Sequence, residues 1–390
     1  MITIFYRVLQ RYKFISLEVI QREMKILEVS FANPNDPHAA GLESYVRDLS
    51  YFLRSKDMQI DIVFADTNKF CYLSNDNLIG LKIPKVVSML KLTKIYYNVA
   101  LIFFLKNQMG EYNVIHINGD NGVFIPFFKG FKTIITLHGS MTEIAKFQRE
   151  HQKPFRLHSY LMSRFLGIME ESASRRVNKV IAVSNHVKEY FELKTKRMDI
   201  NVVNTCVFTN KIRELNTAMN SMLLQNKNDG KTICLWVGKD PIRKGLKIAK
   251  QIVKDKKNII LYTVGCTDLE KDPNVVNLGI IDEKSLNTLH IMSDIFIFPS
   301  KYEGFSVAVI ESMSNGLIPI TFAIPSAAEI ITDGKNGFIC KDENEMNIKL
   351  DFLMENKDKM SSMKIHAHER SLEFDCNILY DKIYKIINEM

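Results

Sequence analysis

Short apolar runs rich in β-branched residues recur along this sequence, each ending in a polar or small residue, with helix-spaced segments between them. Over residues 24–205 they read KILEVSF, IDIVFAD, NVIHING, KTIITLHG and KVIAVSN. The first is followed by the loop ANPNDPHAAG and then by LESYVRDLSYFLRSK, whose apolar positions have helical spacing. A strand apolar along its whole length has no face for water, so such strands belong in a parallel sheet covered on both sides by helices. The pattern loosens between Asn204 and Gly230, where LLQNKNDGK reads as a linker, and restarts as TICLWVG, NIILYTVG, NVVNLG, DIFIFPS, LIPITFA and GFIC. The expected fold is therefore α/β: two Rossmann-like, doubly wound domains, residues 24–205 and 206–374, facing a central cleft. The length of 390 residues agrees, being too great for one ordinary core. In such sheets ligands bind beyond the carboxyl ends of the strands. That rule selects Gly41, His116, Asn118, His138, Gly139 and Ser184 in the first half.

Several function classes drop out. The dinucleotide fingerprint G-x-G-x-x-G is absent after both opening strands, against an NAD or FAD enzyme. The six cysteines are scattered without a C-x-x-C pair, which fits a reducing cytoplasm and neither a disulfide framework nor a zinc site. His366 and His368 form an isolated H-x-H in a polar stretch, and no metal is expected there. The formal charge of +8 is spread along the chain with no Lys/Arg block of five, so nucleic acid is not an expected partner. No segment reaches the roughly 18 apolar residues that span a bilayer. Residues 1–23 carry Arg7, Arg11 and Lys13 inside an apolar run and lack a small-residue cleavage site, so they make a poor signal peptide. They read either as a dispensable N-terminal extension or as a basic amphipathic anchor.

Two constellations carry chemistry. In WVGKDPIRKGL, residues 236–246, a strand ends at Gly238 and a helix starts near Gly245. Lys239, Arg243 and Lys244 cluster where that helix presents free N–H groups, an arrangement that suits a phosphate; a solvated basic turn is the plainer reading. In FPSKYEGFSVAVIESMSNG a strand leads to a turn at Glu303-Gly304, then a helix that runs to about Asn315 with Gly316 as its stop. The amides of Gly304, Phe305 and Ser306 would open that helix toward the cleft. A carboxylate accepts two hydroxyl hydrogen bonds at once, so Glu303 and Glu311 match vicinal diols of a ribose or a pyranose.

Together VGKDPIRKG and PSKYEGFSVAVIESMSNGLIPI resemble the signatures of the retaining nucleotide-sugar glycosyltransferases of family 4, which have the GT-B fold. AAGLESYVRDL, VIHING, TLHGS, VIAVSNHVKEYF and AAEIITDGKNGF extend the resemblance over nearly everything from Met24 onward. It implies that Glu311 binds the ribose hydroxyls and that Glu303 faces the donor sugar and the reacting centre. The amides of Gly304, Phe305 and Ser306 lie near sugar and diphosphate, and Lys244 holds the diphosphate. His138 stands near the anomeric carbon, and Gly41 lies in the loop approaching phosphates and acceptor. Glu303, His138 and Lys244 are thus the expected catalytic set, and His116 and Asn118 are expected on the acceptor side. A C-terminal helix over about 375–390 is expected to pack back on the first domain. The sequence departs from the family at Lys239, where an arginine is usual, at Ala40-Gly41 in place of a double glycine, and at Ser306 where glycine is commoner. Lys239 keeps the charge without the planar fork, and Arg243 is placed to take over the contact.

The expected reaction moves a hexosyl or N-acetylhexosaminyl group from a nucleotide diphosphate sugar, a UDP-sugar by base rate, to a glycan, lipid-linked or small hydroxyl acceptor. Cationic side chains stand where a divalent ion would, so neither metal nor cofactor is required. Residues 82–108 alternate Lys82, Lys85, Lys91, Lys94 and Lys106 with an apolar face. They read either as a core helix with solvated lysines or as a surface for an anionic membrane, peripheral to the cytoplasmic face. A GT-B nucleotide-sugar epimerase and a non-catalytic nucleotide-sugar-binding subunit are the alternatives.

Overall fold

The computed structural model describes residues 24–36, 41–66, 71–73, 77–152, 154–210, 214–267 and 272–390. The proposed extension 1–23 and Ala40 of the first loop lie outside them. In the first domain the apolar runs form β1 (Lys25–Val29), β2 (Gln59–Asp66), β5 (Val114–Asn118), β6 (Thr133–Leu137) and β7 (Lys179–Ala182). Strands that the runs did not announce are β3 (Cys71–Leu73), β4 (Leu78–Lys82) and β8 (Ile200–Val202). Their order is β3-β4-β2-β1-β5-β6-β7-β8, parallel except for the β3–β4 pair. The central strand β1 is paired on both edges, with Glu28 opposite Ile62 of β2 and His116 of β5. Every residue of β5 and β6 is buried, which is why these strands carry almost unbroken apolar sequence.

The second sheet contains β9 (Thr232–Val237), β10 (Ile259–Val264), β11 (Val275–Gly279), β12 (Ile295–Phe298), β13 (Ile318–Phe322) and β14 (Phe338–Cys340). It is parallel throughout in the order β11-β10-β9-β12-β13-β14. The strand order reverses between β1 and β5 in one sheet and between β9 and β12 in the other. A crevice opens at such a reversal, where consecutive connections leave to opposite faces. The loops after β9 and β12 carry the basic turn and Glu303, so topology brings together segments some 60 residues apart.

Two readings of the sequence are corrected. The stretch taken as a linker holds the helix Thr217–Asn228, N-capped by Asn216, whose side chain accepts from the Met219 amide at 3.1 Å. It buries only Leu223, so its pattern carries almost no apolar periodicity. Residues 82–108 are not one helix. Lys82 closes β4, Pro84 precedes the short helix Lys85–Met89, and Lys91 breaks the chain at φ 57° before the helix Thr93–Asn107.

The chain crosses between domains twice, and the crossings are tied to each other. The Val207 amide donates to Phe374 O at 3.1 Å, and the Cys376 amide donates to Val207 O at 3.0 Å. The Thr209 amide and hydroxyl both donate to Asp375 Oδ2, at 3.1 and 2.6 Å. Beyond this hinge the helix Cys376–Asn388 lies on the helix Gly41–Arg54 of the first domain, with the Tyr380 ring edge-on to Tyr45 at 5.8 Å.

Candidate active site

The basic turn is pinned from below by Trp236, fully buried in β9, whose Nε1 donates to Lys244 O at 3.0 Å. Asp240 Oδ1 accepts the Arg243 amide at 3.1 Å and closes the turn. Gly245 ends it at φ 70°, with the Pro299 carbonyl 2.3 Å from where a Cβ would stand, so both conformation and space demand glycine. At the head of the next loop Glu303 is only 12% exposed. Its Oε1 meets Arg243 Nη1 at 3.0 Å, the Ser300 hydroxyl at 2.9 Å and Lys244 Nζ at 3.9 Å. Arg243 Nη1 also donates to Tyr302 O at 2.7 Å, so one guanidinium braces both the carboxylate and the backbone that carries it. Oε1 takes all three of these contacts, which leaves Oε2 to accept from a hydroxyl.

From Glu303 the chain turns into the helix Val307–Ser314. The amides of Gly304, Phe305 and Ser306 donate to no protein acceptor among the described residues, and the buried Ser306 hydroxyl has no protein partner. A helix start with open amides and a spare hydroxyl carries positive potential suited to an anion. Val307, Ala308 and Glu311 are the half-exposed residues of this helix, spaced i, i+1, i+4, so Glu311 lies on the stripe that continues from the Glu303 turn.

The facing wall is built on buried polar groups. Glu28, His116, Asn118 and Thr136 are all fully buried in the middle and carboxyl-terminal parts of β1, β5 and β6. Glu28 Oε1 meets His116 Nδ1 at 2.8 Å, and His116 Nε2 meets the Thr136 hydroxyl at 2.7 Å. Asn118 Nδ2 donates to Glu28 Oε2 at 3.0 Å, which turns Asn118 Oδ1 toward His138 Nε2 at 3.4 Å. Since Oδ1 only accepts, Nε2 of His138 carries the proton and Nδ1 is left as an acceptor. Burial, with His116 beneath, lowers the His138 pKa to about 3, so the ring is neutral at ordinary pH. The Tyr45 ring stands edge-on against it at 4.6 Å.

The walls touch. A Cβ on Gly304 would lie 2.0 Å from His138 O. The Ser140 amide donates to Tyr302 Oη at 2.8 Å, and Tyr302 Oη donates to Glu143 at 3.2 Å. Glu143 also pairs with His186 at 3.4 Å. Further along, the Glu329 carboxylate accepts the amides of Asn185 and His186 at 3.0 and 3.4 Å, capping the helix Asn185–Thr195 from the opposite domain.

Comparison with known proteins agrees with this architecture. Residues 224–370 match the family described as glycosyl transferases group 1, and residues 39–211 match glycosyltransferase family 4. The structure is similar to a sucrose-phosphate synthase from Thermosynechococcus elongatus, with a TM-score of 0.76 and 18% identity over 94% of this chain and 99% of that one. Anabaena HepE in complex with UDP and glucose gives 0.72 and 16% over 94% and 100%. The chain is a GT-B glycosyltransferase of group 1.

Among curated relatives, the transferase is 26% identical over 176 residues to an N,N'-diacetylbacillosaminyl-diphospho-undecaprenol α-1,3-N-acetylgalactosaminyltransferase of Campylobacter jejuni, spanning 42% of this chain and 46% of that protein. It matches about half or less of the length of the first such relatives. A glycosyltransferase of Methanocaldococcus jannaschii aligns over 94% of the chain and its own full length at 22% identity.

The candidate site gathers Glu303, Arg243, Lys244 and the amides of Gly304, Phe305 and Ser306, with His138 opposite and Glu311 one turn into the helix. Lys239 is exposed on the turn. Gly41 opens the helix Gly41–Arg54 one turn before Tyr45, and a Cβ there meets nothing within 4 Å among the described residues. His116 and Asn118 do not line the acceptor side. Both are fully buried with their polar atoms engaged, and they hold His138 in place. His368 Nδ1 donates to Ser314 O at 2.9 Å and braces the end of the helix Val307–Ser314. Glu28, Tyr302, Glu143, His186 and Glu329 escaped the sequence reading. A glutamate inside the apolar run KILEVSF was the available signal for Glu28.

Proposed function

We propose that this glycosyltransferase moves a hexosyl or N-acetylhexosaminyl group from a nucleotide diphosphate sugar, a UDP-sugar first, to a glycan, lipid-linked or small hydroxyl acceptor with retention of configuration. The observation that carries this is the convergence of Arg243, Lys244 and the open amides of Gly304–Ser306 on the Glu303 turn, directly across from His138. Breaking the anomeric C–O bond leaves extra negative charge on the diphosphate, and preorganised donors at that place stabilise it most where water is excluded. Lys239 stands ready at the edge of the same turn. These groups supply the positive charge a divalent ion would otherwise bring, so the transfer proceeds without one. Glu303 Oε1 is already held by an arginine, a lysine and a serine, which makes it a weak nucleophile and a good orienting group for sugar hydroxyls. With retention, the leaving phosphate oxygen takes the acceptor's proton on the same face. Glu311 receives the ribose hydroxyls, and neutral His138 offers Nδ1 to a donor-sugar hydroxyl.

The printed names of the similar proteins support the class. HepE binds UDP and glucose, and the Campylobacter enzyme acts on a diphospho-undecaprenol acceptor. No helix among the described residues is long and apolar enough to cross a membrane. Exposed Val86, Met89 and Leu90 beside Lys85 and Lys91 support peripheral contact with an anionic cytoplasmic membrane face. The test is a panel of UDP- and GDP-sugars read by thermal stabilisation and nucleotide release. Stabilisation by none of them overturns the donor reading, and undiminished transfer by Glu303→Ala overturns the role given to that carboxylate.

A further inference from the structure

A cavity of about 310 Å³ opens at the amino-terminal edge of the second sheet, at the opposite end of its strands from the cleft. It lies between the end of the helix Thr217–Asn228, the starts of β9 and β12, and one face of the helix Lys357–Ser371. Lys227, Lys231, Lys357 and Lys364 line it together with Thr232 and Asp294. On the last helix Lys357, Ser361 and Lys364 recur at helical spacing, so one stripe of that helix faces the cavity. The length of β9, six residues at about 3.3 Å each, separates it from the basic turn by about 20 Å. It is a place apart from the candidate active site.

Four ammonium groups meet a single carboxylate here. Asp294 is buried, and its Oδ1 accepts from Lys364 Nζ at 2.5 Å and from Lys227 Nζ at 3.1 Å, while Oδ2 accepts the Ile233 amide at 2.9 Å. Two ammoniums on one oxygen repel each other, and partial burial sharpens that cost. Lys357 Nζ donates to the Thr232 hydroxyl at 3.3 Å, a neutral partner that leaves its charge uncompensated. The Lys231 ammonium has no partner among the described residues. Each ammonium carries three N–H donors, so most of the donors around the cavity are unspent. Asp229 and Asp358 are exposed and do not line it. The last carbonyls of the helix Thr217–Asn228 accept the amides of Asp229, Gly230 and Lys231 at 2.9, 3.0 and 3.0 Å, so that helix end brings little negative potential. The helix Lys357–Ser371 begins without a side-chain cap and adds its positive end.

We propose that this cavity is a second anion site, which binds a small soluble phosphate of more than one negative charge, a diphosphate or a phosphorylated sugar. The four cations outnumber their one carboxylate by three, so a multiply charged anion suits them better than a single charge. Lysine binds phosphate as a point charge, without the fixed geometry an arginine fork would impose. The volume equals about ten water molecules, more than one phosphate fills. Met360 is the one apolar side chain in the lining and no aromatic ring belongs to it, so neither a nucleobase nor a hydrocarbon chain finds a surface there. An anion held by all four lysines ties both helices to the starts of β9 and β12, and it stabilises the second domain by linkage. The proposal does not rest on the transferase reading.

The probe is inorganic diphosphate, titrated calorimetrically into the full chain. Two sites are expected, this cavity and the basic turn of the cleft. The pair Lys231→Ala and Lys357→Glu should fold, since Lys231 has no partner to lose and a helix start favours a carboxylate. It is expected to weaken one diphosphate site at least about tenfold, with stabilisation by UDP unchanged. The pair Arg243→Ala and Lys244→Ala is expected to weaken only the other site. Wild-type diphosphate binding by the first pair overturns the proposal, and so does loss of all diphosphate binding in the second. Phosphatidate vesicles held through these lysines by a chain that ignores soluble diphosphate would overturn it as well. If the second pair leaves UDP stabilisation intact while the first still removes a diphosphate site, the transferase reading falls and the cavity stands.

Discussion

Alanine at position 304 places a methyl group where the two domains meet backbone to backbone. The Cβ would stand 2.0 Å from His138 O, 2.7 Å from His138 C and 3.0 Å from Gly139 Cα. Carbon needs about 3.5 Å there, so the loops must separate by about 1.5 Å. The wall behind His138 cannot yield, because Glu28, His116 and Asn118 beneath it are buried and mutually bonded. Opening of the cleft is the available response. It stretches the Ser140–Tyr302 bond from 2.8 Å past hydrogen-bonding range, a loss of about 1 kcal/mol. It also moves His138 off the place proposed for the sugar, and a displacement of about 1 Å costs on the order of 100-fold in rate. Gly304 does not adopt a left-handed conformation, so alanine itself is unstrained there. The expected result for Gly304→Ala is a fall of about 100-fold in kcat/KM for transfer, with unfolding temperature and UDP affinity nearly unchanged because the groups proposed to hold the nucleotide sit on the second domain. Steady-state transfer, calorimetric UDP binding and small-angle scattering together test this. Transfer within about threefold of wild type, less than one hydrogen bond's worth, would refute the reasoning, as would UDP affinity falling in step with transfer.

Three further outcomes follow from the same geometry. His138 titrates near 3 in the fold, against about 6.5 for an ordinary histidine, so between these values the unfolded chain binds a proton that the folded chain does not. Its contribution is therefore complete above pH 6.5 and declines on acidification by up to about 1.4 kcal/mol per pH unit; urea midpoints of His138→Gln should be less sensitive to pH over this window, and equal slopes would count against the half-buried neutral ring. Glu329→Ala removes the carboxylate that caps the helix Asn185–Thr195 from across the cleft. It should loosen closure by about 1–2 kcal/mol, seen as a larger radius of gyration and a raised KM with the fold intact. Gly41→Ala meets no atom within 4 Å among the described residues, so stability should hold or rise by about 0.5–1 kcal/mol; a donor KM that rises nonetheless marks substrate as the neighbour, and an unchanged KM denies Gly41 its place beside the phosphates.

What was legible follows how far each interaction reaches along the chain. Glu303 and Glu311 stood out because one turn and one helix carry both, and the two sheets stood out because a strand buried on both faces writes itself as an apolar run. Arg243 and Glu303 become neighbours only because β9 and β12 pair at the reversal of strand order, which the alternation of strands and helices implies without giving the register. Tyr302 and Ser140 are 162 residues apart, and nothing in either segment names the other. The same logic explains why His116 and Asn118 were placed on the acceptor side. A polar residue at a strand's carboxyl end faces either the cleft or the next strand, and a period of two cannot say which end residue is covered. Here Glu28, a carboxylate with no exit to water, decided it by drawing both inward. The helix Thr93–Asn107 shows the converse. It was weighed as a lysine-flanked face, yet its outward stripe is Tyr96, Val99 and Phe103 with Lys106, while Tyr97, Leu101 and Leu105 face the core. Apolar residues on both sides give no moment to read, so periodicity can detect such a helix but cannot assign its faces. Folding requires only the inner face to be apolar. The outer one answers to something the chain meets after it has folded.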